Sequence, residues 1–93
     1  MDIKDLRNEI NAIDKELVAL FNKRMNISLE VAEYKIKNNI PVLDKGRERD
    51  ILEKVASESH PDIANYTRML YSDIFNFSRS YHISTESSTV TVR

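Results

Sequence analysis

The sequence contains no cysteine and no tryptophan, a single glycine and only two prolines. Without cysteine, the chain has no disulfide, no thiol nucleophile and no thiolate metal site. Its two histidines, His60 and His82, are too few and too far apart to indicate a zinc site, so no metal is expected. The scarcity of glycine and proline predicts long, uninterrupted helices.

The chain also lacks an excess of either charge, with 14 Lys and Arg against 15 Asp and Glu. Nucleic acid is therefore not the expected partner, because phosphate binding usually requires a clear basic excess. The N-terminus alternates in charge and lacks the apolar run of a signal peptide. No stretch approaches the roughly 18 apolar residues of a membrane span. We expect one soluble, cytoplasmic domain that binds neither nucleic acid nor a membrane.

The first predicted helix runs from about Asp2 to about Asn38. Its apolar residues alternate steps of three and four, as a buried helix seam requires. This apolar seam comprises Ile3, Leu6, Ile10, Ile13, Leu17, Leu20, Ile27, Val31 and Tyr34. The helix would be about 55 Å long, whereas a compact globule of this size is about 25 to 30 Å across. The sequence therefore predicts an intertwined homodimer; the alternative is a break near Asn22 or Asn26.

Two shorter helices are predicted to follow. Asp44 is a good N-cap for a helix from Lys45 to about Ser57, and Pro61 suits the first turn of a third helix. Residues 84–93 are rich in Ser, Thr and Val, which favours a flexible tail or linker stub after a helical domain of residues 1–83. The predicted fold class is all-α, with three helices per chain.

Arg24 interrupts the apolar seam where an aliphatic residue is expected. A buried guanidinium is costly unless an anion meets it, and an ion pair with an acidic residue of another helix is the simplest solution. Lys35, however, lies within about 40° of Arg24 around the helix and about three turns further along, so both cations can converge on one ligand. Arg7 is too distant in the same chain, but an antiparallel partner could bring its own Arg7 into range.

Further polar residues lie near the start of the second helix and near the end of the third. Arg47 and Glu48 adjoin the apolar face of the second helix and are expected to point inward, although Glu48 also suits a helix N-terminus by itself. Ser78 and His82 lie one turn apart on the third helix, where His82 can equally complement the helix dipole. Lys35 alone can likewise be a solvated surface lysine.

Together these residues have a charge surplus. The four cations Arg7, Arg24, Lys35 and Arg47 outnumber the carboxylates of Asp44 and Glu48 by two. Such a balance suits a small dianion held between helices. The chain has no evident nucleophilic triad and no glycine-rich phosphate loop. A site of this kind would act by positioning and electrostatic stabilisation.

The order and spacing of these residues resemble the all-helical chorismate mutases, small dimeric enzymes of the shikimate pathway. The matching elements, over about residues 3 to 82, are Leu6-Arg7-xx-Ile10-xx-Ile13-Asp14, Leu20-xxx-Arg24, Val31-xxx-Lys35, Pro41-Val42-x-Asp44-xx-Arg47-Glu48, Leu70-Tyr71 and Ser78. The resemblance implies the pericyclic rearrangement of chorismate to prephenate without a cofactor.

The resemblance also implies a role for each site residue. Arg24 of one subunit and Arg7 of the other would clamp the two substrate carboxylates. Lys35 would donate to a carboxylate and to the ether oxygen, where negative charge grows. The Asp44 region and Glu48 would bind the ring hydroxyl, Arg47 would complete the charged network, and Ser78 would donate near a carboxylate.

His82 departs from the family pattern, which usually has glutamine or glutamate four residues after the serine as a second contact to the ether oxygen. If His82 takes that role, activity should rise as the pH falls and the imidazole becomes protonated, because both ring nitrogens then donate. His82 can instead point away, leaving the ether contact to Lys35.

Two other functions stay open at this point. Isochorismate pyruvate-lyases share the fold, although the Asp44-xx-Arg47-Glu48 sequence looks more like the mutases. A helical dimer that binds an acidic ligand or partner without turnover fits the partly polar seam equally well. Small mutase domains are also often fused to a second pathway enzyme, so the chain can be a complete protein or an N-terminal piece.

Overall fold

The computed structural model describes the backbone of residues 1–92 and the side chains of residues 1–85. Over this range the chain forms three long helices, α1 (Ile3–Lys37), α2 (Lys45–Glu58) and α3 (Ala64–Val92), with a 3-10 turn at Pro61–Ile63. The described residues include no strand. The prediction of an all-α chain with three helices, one very long, is confirmed.

Helix α1 is continuous over 35 residues. It begins with a reciprocal capping box, in which the Asp2 carboxylate accepts from the Asp5 N–H at 2.9 Å and Asp5 reaches back to the Asp2 N–H. Asn22 and Asn26 lie inside the helix, so the alternative of a break near them is wrong. The longest dimension of the molecule, 56 Å, is consequently about the length of this one helix.

A tight turn stops α1 and reverses the chain. Asn39 is in the left-handed region at φ 59°, a conformation that asparagine tolerates better than most residues. The Asn39 N–H donates to the Ile36 carbonyl at 3.2 Å and the Ile40 N–H to the Lys35 carbonyl at 2.8 Å, which is a Schellman motif. Pro41 then prevents the helix from continuing.

Helices α2 and α3 form an antiparallel hairpin against which one part of α1 packs. Asp44 is the N-cap of α2, as predicted, and accepts from the Arg47 N–H at 2.9 Å. Phe21 of α1 meets Phe77 of α3 edge to face, with ring centroids 6.3 Å apart. Helix α3 extends to Val92, beyond residue 83, since Ser and Thr do not break a helix as glycine or proline would. The backbone of residues 84–92 is thus helical, Arg93 lies outside the described residues, and the division into a domain and a flexible tail or linker stub at residue 83 stays a prediction.

Very little of the apolar surface is buried within one chain. The buried apolar residues among those described are Ala32, Ala56, Ile74 and Phe75. Every residue of the apolar seam is between 43% and 66% exposed, Leu6 being the least exposed and Leu20 the most. A contiguous exposed stripe of this length is typical of a surface that binds a partner. None of the described helices combines the length and apolarity needed to cross a bilayer.

Candidate active site

Arg24 lies where α1 crosses α3, held against two aromatic rings. Its guanidinium carbon is 5.6 Å from the ring centroid of Tyr71 and 5.6 Å from that of Phe75. The rings contact each other at 6.3 Å, and Phe75 is only 7% exposed. A cation over aromatic faces is stabilised by the ring quadrupoles while its positive charge is kept.

Arg24 has no carboxylate partner among the described residues, whose ion pairs all involve other side chains. The simplest sequence interpretation, an internal ion pair with an acidic residue of another helix, is therefore not what the structure shows. Aromatic rings do not neutralise a cation as a carboxylate would. The charge of Arg24 remains available to an anionic ligand.

Ser78 lies where α3 packs on α1, against the residue that follows Arg24. Its hydroxyl donates to the Ile74 carbonyl at 2.9 Å and lies 3.6 Å from the sulfur of Met25, the residue after Arg24. The hydroxyl can rotate to a ligand, because a serine bonded to its own helix loses little by exchanging that bond. His82, partly buried, follows one turn later on the same helix.

Glu48 projects from the first turn of α2 towards α3, where it forms an ion pair with Arg79. Its side chain is 28% exposed, which confirms the inward orientation expected from the sequence. Arg79 also donates to the side-chain oxygen of Asn76 at 2.6 Å. Since Ser78 and Arg79 are adjacent, consecutive residues of α3 contact α1 and α2.

Arg47 was expected to point inward and does not do so in the single chain, where its side chain is exposed. The reason is helical geometry, because successive residues are 100° apart and Glu48 already lies on the face towards α3. The Arg47 backbone N–H is instead used in capping, where it donates to the Asp44 carboxylate. Asp44 thus has a structural role besides any contact to a ligand.

Lys35 lies at the far end of α1 from the N-terminus, about 16 Å beyond Arg24 along the helix axis. Its ammonium donates to the Val42 carbonyl at 3.3 Å, because the chain folds back after the turn. Lys35 also lines an open groove of about 320 Å³ with Ile27, Glu30, Val31, Tyr34 and Ile40. Within one chain, Arg24 and Lys35 are thus engaged by different segments and do not meet.

Arg7 is exposed and about 25 Å from Arg24 along α1, so one chain cannot bring the two together. The structure thus groups Arg24, Ser78 and Glu48 around α3 and leaves Arg7 and Lys35 on the exposed part of α1. Among the described residues, no three His, Asp or Glu side chains lie close enough to hold a metal ion.

Sequence reasoning gave no site role to three residues of this region, which are Tyr71 and Phe75 beneath Arg24, and Arg79 beside Glu48. Tyr71 and Phe75 are four residues apart and therefore share a face of α3. For Arg79 the available signal was a repeat, because Asn65-Tyr66-Thr67-Arg68 recurs as Asn76-Phe77-Ser78-Arg79. Eleven residues are close to three helical turns, so both arginines lie on one side of α3.

The chain matches a known protein family. The family chorismate mutase type II matches residues 6–83, which is most of the chain and includes all the site residues named above. The chain belongs to this family. The resemblance inferred from the order and spacing of the residues is thereby confirmed.

Several curated bacterial proteins are similar to the chain, each named bifunctional chorismate mutase/prephenate dehydratase. One from Buchnera aphidicola subsp. Schizaphis graminum is 48% identical over 56 residues, covering 60% of this chain and 14% of that protein. One from Buchnera aphidicola subsp. Baizongia pistaciae is 41% identical over 70 residues, covering 73% and 19%. One from Escherichia coli is 37% identical over 68 residues, covering 71% and 18%. The chain thus spans less than a fifth of these relatives, and no solved structure matches it significantly.

Proposed function

We propose that this chain is a chorismate mutase, which rearranges chorismate to prephenate. The observation that carries the proposal is the position of Arg24, a guanidinium held by two rings and left without a carboxylate among the described residues. Membership of the chorismate mutase type II family supports the same reaction. Chorismate carries two carboxylates, and the residues assigned to the site supply the positive charge that such a dianion requires.

The proposed mechanism relies on positioning and charge. In the rearrangement one C–O bond breaks while one C–C bond forms in the same cyclic step, so neither a nucleophile nor a cofactor is needed. Holding the side chain over the ring is worth several kcal/mol, because it removes most of the rotational freedom lost in the transition state. Negative charge grows on the ether oxygen as the C–O bond breaks, and a fixed N–H donor there stabilises the transition state selectively.

Each site residue has a part in this mechanism. Arg24 and the partner's Arg7 bind the two carboxylates, and Ser78 donates near one of them. Lys35 donates to a carboxylate and to the ether oxygen, with His82 as the second ether donor. The ring hydroxyl is bound by Glu48 together with the Asp44 region, and Arg47 completes the charged network.

The site is completed by a second copy of the chain in an intertwined homodimer. The exposed apolar seam supports this, because a chain with four buried apolar residues among those described cannot hold a 35-residue helix by itself. A two-fold partner lying antiparallel along α1 covers the seam and brings its own Arg7 towards Arg24. The exposed Arg7 and Arg47 would then both face a site that forms only on assembly.

Turnover is tested by following the loss of chorismate absorbance after adding the purified protein. We expect Arg24→Ala to lower kcat/KM by at least about 100-fold, because it removes a buried contact to a substrate carboxylate. Lys23→Ala is the matched control, since Lys23 is the preceding residue and points to solvent, and it should change kcat/KM less than about twofold. A folded wild-type dimer that leaves chorismate unchanged would refute the proposed activity.

The alternatives are separated by parallel assays on the same purified protein. An isochorismate pyruvate-lyase would release pyruvate from isochorismate and leave chorismate largely intact. A non-catalytic helical dimer would bind a bicyclic dicarboxylate analogue through Arg24 without converting either substrate. The Asp44-xx-Arg47-Glu48 sequence favours the mutase, because it places a carboxylate acceptor where the chorismate hydroxyl is proposed to lie.

The shared site is tested by complementation. Arg7→Ala and Arg24→Ala homodimers should each be nearly inactive, since each lacks one carboxylate clamp at both sites. Unfolding the two variants together in equal amounts and refolding them should restore about a quarter of wild-type activity, because half of the dimers are mixed and each mixed dimer has one intact site. If the mixture stays as inactive as its components, Arg7 does not act across the interface.

A further inference from the structure

Helix α3 carries two copies of one arrangement that links it to α2. In the first, Arg68 donates to Asn65 Oδ1 at 2.6 Å and to Glu53 Oε2 at 3.3 Å. In the second, Arg79 donates to Asn76 Oδ1 at 2.6 Å and to Glu48 Oε2. Each arginine therefore bridges the asparagine one turn earlier on α3 and a glutamate of α2.

The two arrangements differ in their surroundings. Glu53 is 67% exposed, so the Arg68 pair is a surface ion pair, of a kind that contributes little to stability. Glu48 is only 28% exposed and follows the N-terminal cap of α2, and Arg79 directly follows Ser78. The second arrangement thus lies inside the proposed site and the first lies outside it.

The contacts of Arg79 leave part of Glu48 accessible. Arg79 donates to Oε2 of Glu48, whereas Oε1 accepts no hydrogen bond from the described residues. A carboxylate has acceptor capacity on both oxygens, so Oε1 can receive a hydroxyl proton while Oε2 is held. Asn76 fixes the plane of the guanidinium, and the planar fork of arginine then fixes the direction of the carboxylate.

Arg79 also changes the charge that a ligand meets. A free Glu48 carboxylate would repel a dianionic substrate in a partly desolvated site, where the effective dielectric constant is lower than in water. The paired Arg79 offsets that repulsion while leaving an acceptor for a neutral hydroxyl. The same carboxylate can therefore bind the hydroxyl without weakening the binding of the two substrate carboxylates.

We infer that Arg79 is a positioning residue that orients Glu48 towards the ring hydroxyl of the substrate. This inference rests on the proposed mutase function, and it adds to it a residue that neither the sequence pattern nor the family resemblance assigned. Arg79 itself need not touch the substrate. Its effect on turnover is expected to pass entirely through Glu48.

The test is a double-mutant cycle with a built-in control. Arg79→Met should lower kcat/KM by about 10- to 30-fold, while Arg68→Met, which breaks the corresponding outer pair, should lower it less than about twofold. In a Glu48→Gln background, Arg79→Met should cost less than about threefold, because no carboxylate remains to be oriented. Losses that multiply in the double variant, or an equal loss in Arg68→Met, would show that Arg79 only joins the helices and would overturn the inference.

Two further measurements keep the test decisive. If Arg79→Met does not fold, Arg79→Lys replaces it, because lysine keeps the charge but cannot bridge Asn76 and Glu48 in one plane. Arg79→Lys should lower kcat/KM by about fivefold, and this loss should vanish in a Glu48→Gln background. In the free protein, the Arg79 side-chain N–H signals in an NMR spectrum should shift in Glu48→Gln and not in Glu53→Gln. Arg79 signals that do not shift in Glu48→Gln refute the inference, whatever the activity of the protein. If these signals shift but the wild type does not turn over chorismate, the mutase proposal alone is refuted.

Discussion

Replacing Leu17 in the exposed seam should weaken the proposed dimer by about two orders of magnitude. Leu→Ala removes three carbon atoms, worth roughly 2.4 kcal/mol when fully transferred from water. Leu17 is 55% exposed in the single chain, so about 1.3 kcal/mol of this is available to assembly. Both copies lose it, which gives about 2.6 kcal/mol per dimer and a rise in the dimer Kd of roughly 80-fold.

The assay is sedimentation equilibrium over a range of protein concentration, with chorismate turnover measured on the same samples. For Leu17→Ala, specific activity should fall on dilution at concentrations where the wild type remains constant, because dissociation separates Arg7 from Arg24. The midpoint of thermal unfolding should also depend on protein concentration, as it does whenever assembly stabilises the native state.

Lys15→Ala is the control for this experiment. Lys15 is exposed and lies about 200° from Leu17 around α1, on the side away from the seam. Its replacement should leave the dimer Kd within about threefold of the wild type. A wild type that is monomeric and fully active at micromolar concentration, or a Leu17→Ala variant with an unchanged Kd, would refute the assignment of the seam to a second copy.

Three further predictions concern the aromatic support, the unusual histidine and the end of α1. Phe75→Leu should lower kcat/KM by about tenfold, because it removes one of the two rings beneath Arg24; an equal loss in an Arg24→Ala background would show that the ring acts elsewhere. His82→Ala should lower kcat/KM, because it removes the proposed second donor to the ether oxygen, whereas His60→Ala, before the turn that leads into α3, should leave it unchanged; equal activities of the two variants contradict this role for His82. Asn39→Ala should lower the free energy of unfolding by about 1 kcal/mol in denaturant titrations, because alanine tolerates the positive φ poorly, and an unchanged value would contradict that reason.

Much of the local structure could be predicted because it depends on neighbouring residues. The length of α1 follows from an interval free of glycine and proline, and Asp44 caps α2 because its carboxylate reaches an N–H three residues later. The helical continuation past residue 83 was missed because a stretch of Ser, Thr and Val has only weak propensities in either direction. The local sequence therefore does not decide the conformation of the chain after residue 83.

The contacts of the site residues were less predictable, because each depends on which helix face meets another. The sequence predicted that Arg24 and Lys35 share one side of α1, yet it could not show that Arg24 would rest on Tyr71 and Phe75. In the same way, the sequence placed Glu48 on an inner face but did not identify Arg79 as its partner. Interhelical partners are set by crossing geometry, which has no fixed sequence spacing.

The amino-acid sequence by itself determined the helices, their caps, the apolar seam and the family, because all of these depend on the spacing of neighbouring residues and on the order of a few residues. Only the tertiary structure decided that Arg24 is supported by rings rather than neutralised by an acid, and that Glu48 is held by Arg79. The physical reason is that a charge is paired or left available according to the neighbours that packing supplies from distant parts of the chain. The apolar seam depends on both the sequence and the tertiary structure. Its apolar period follows from local spacing, whereas its exposure is seen only in the folded chain.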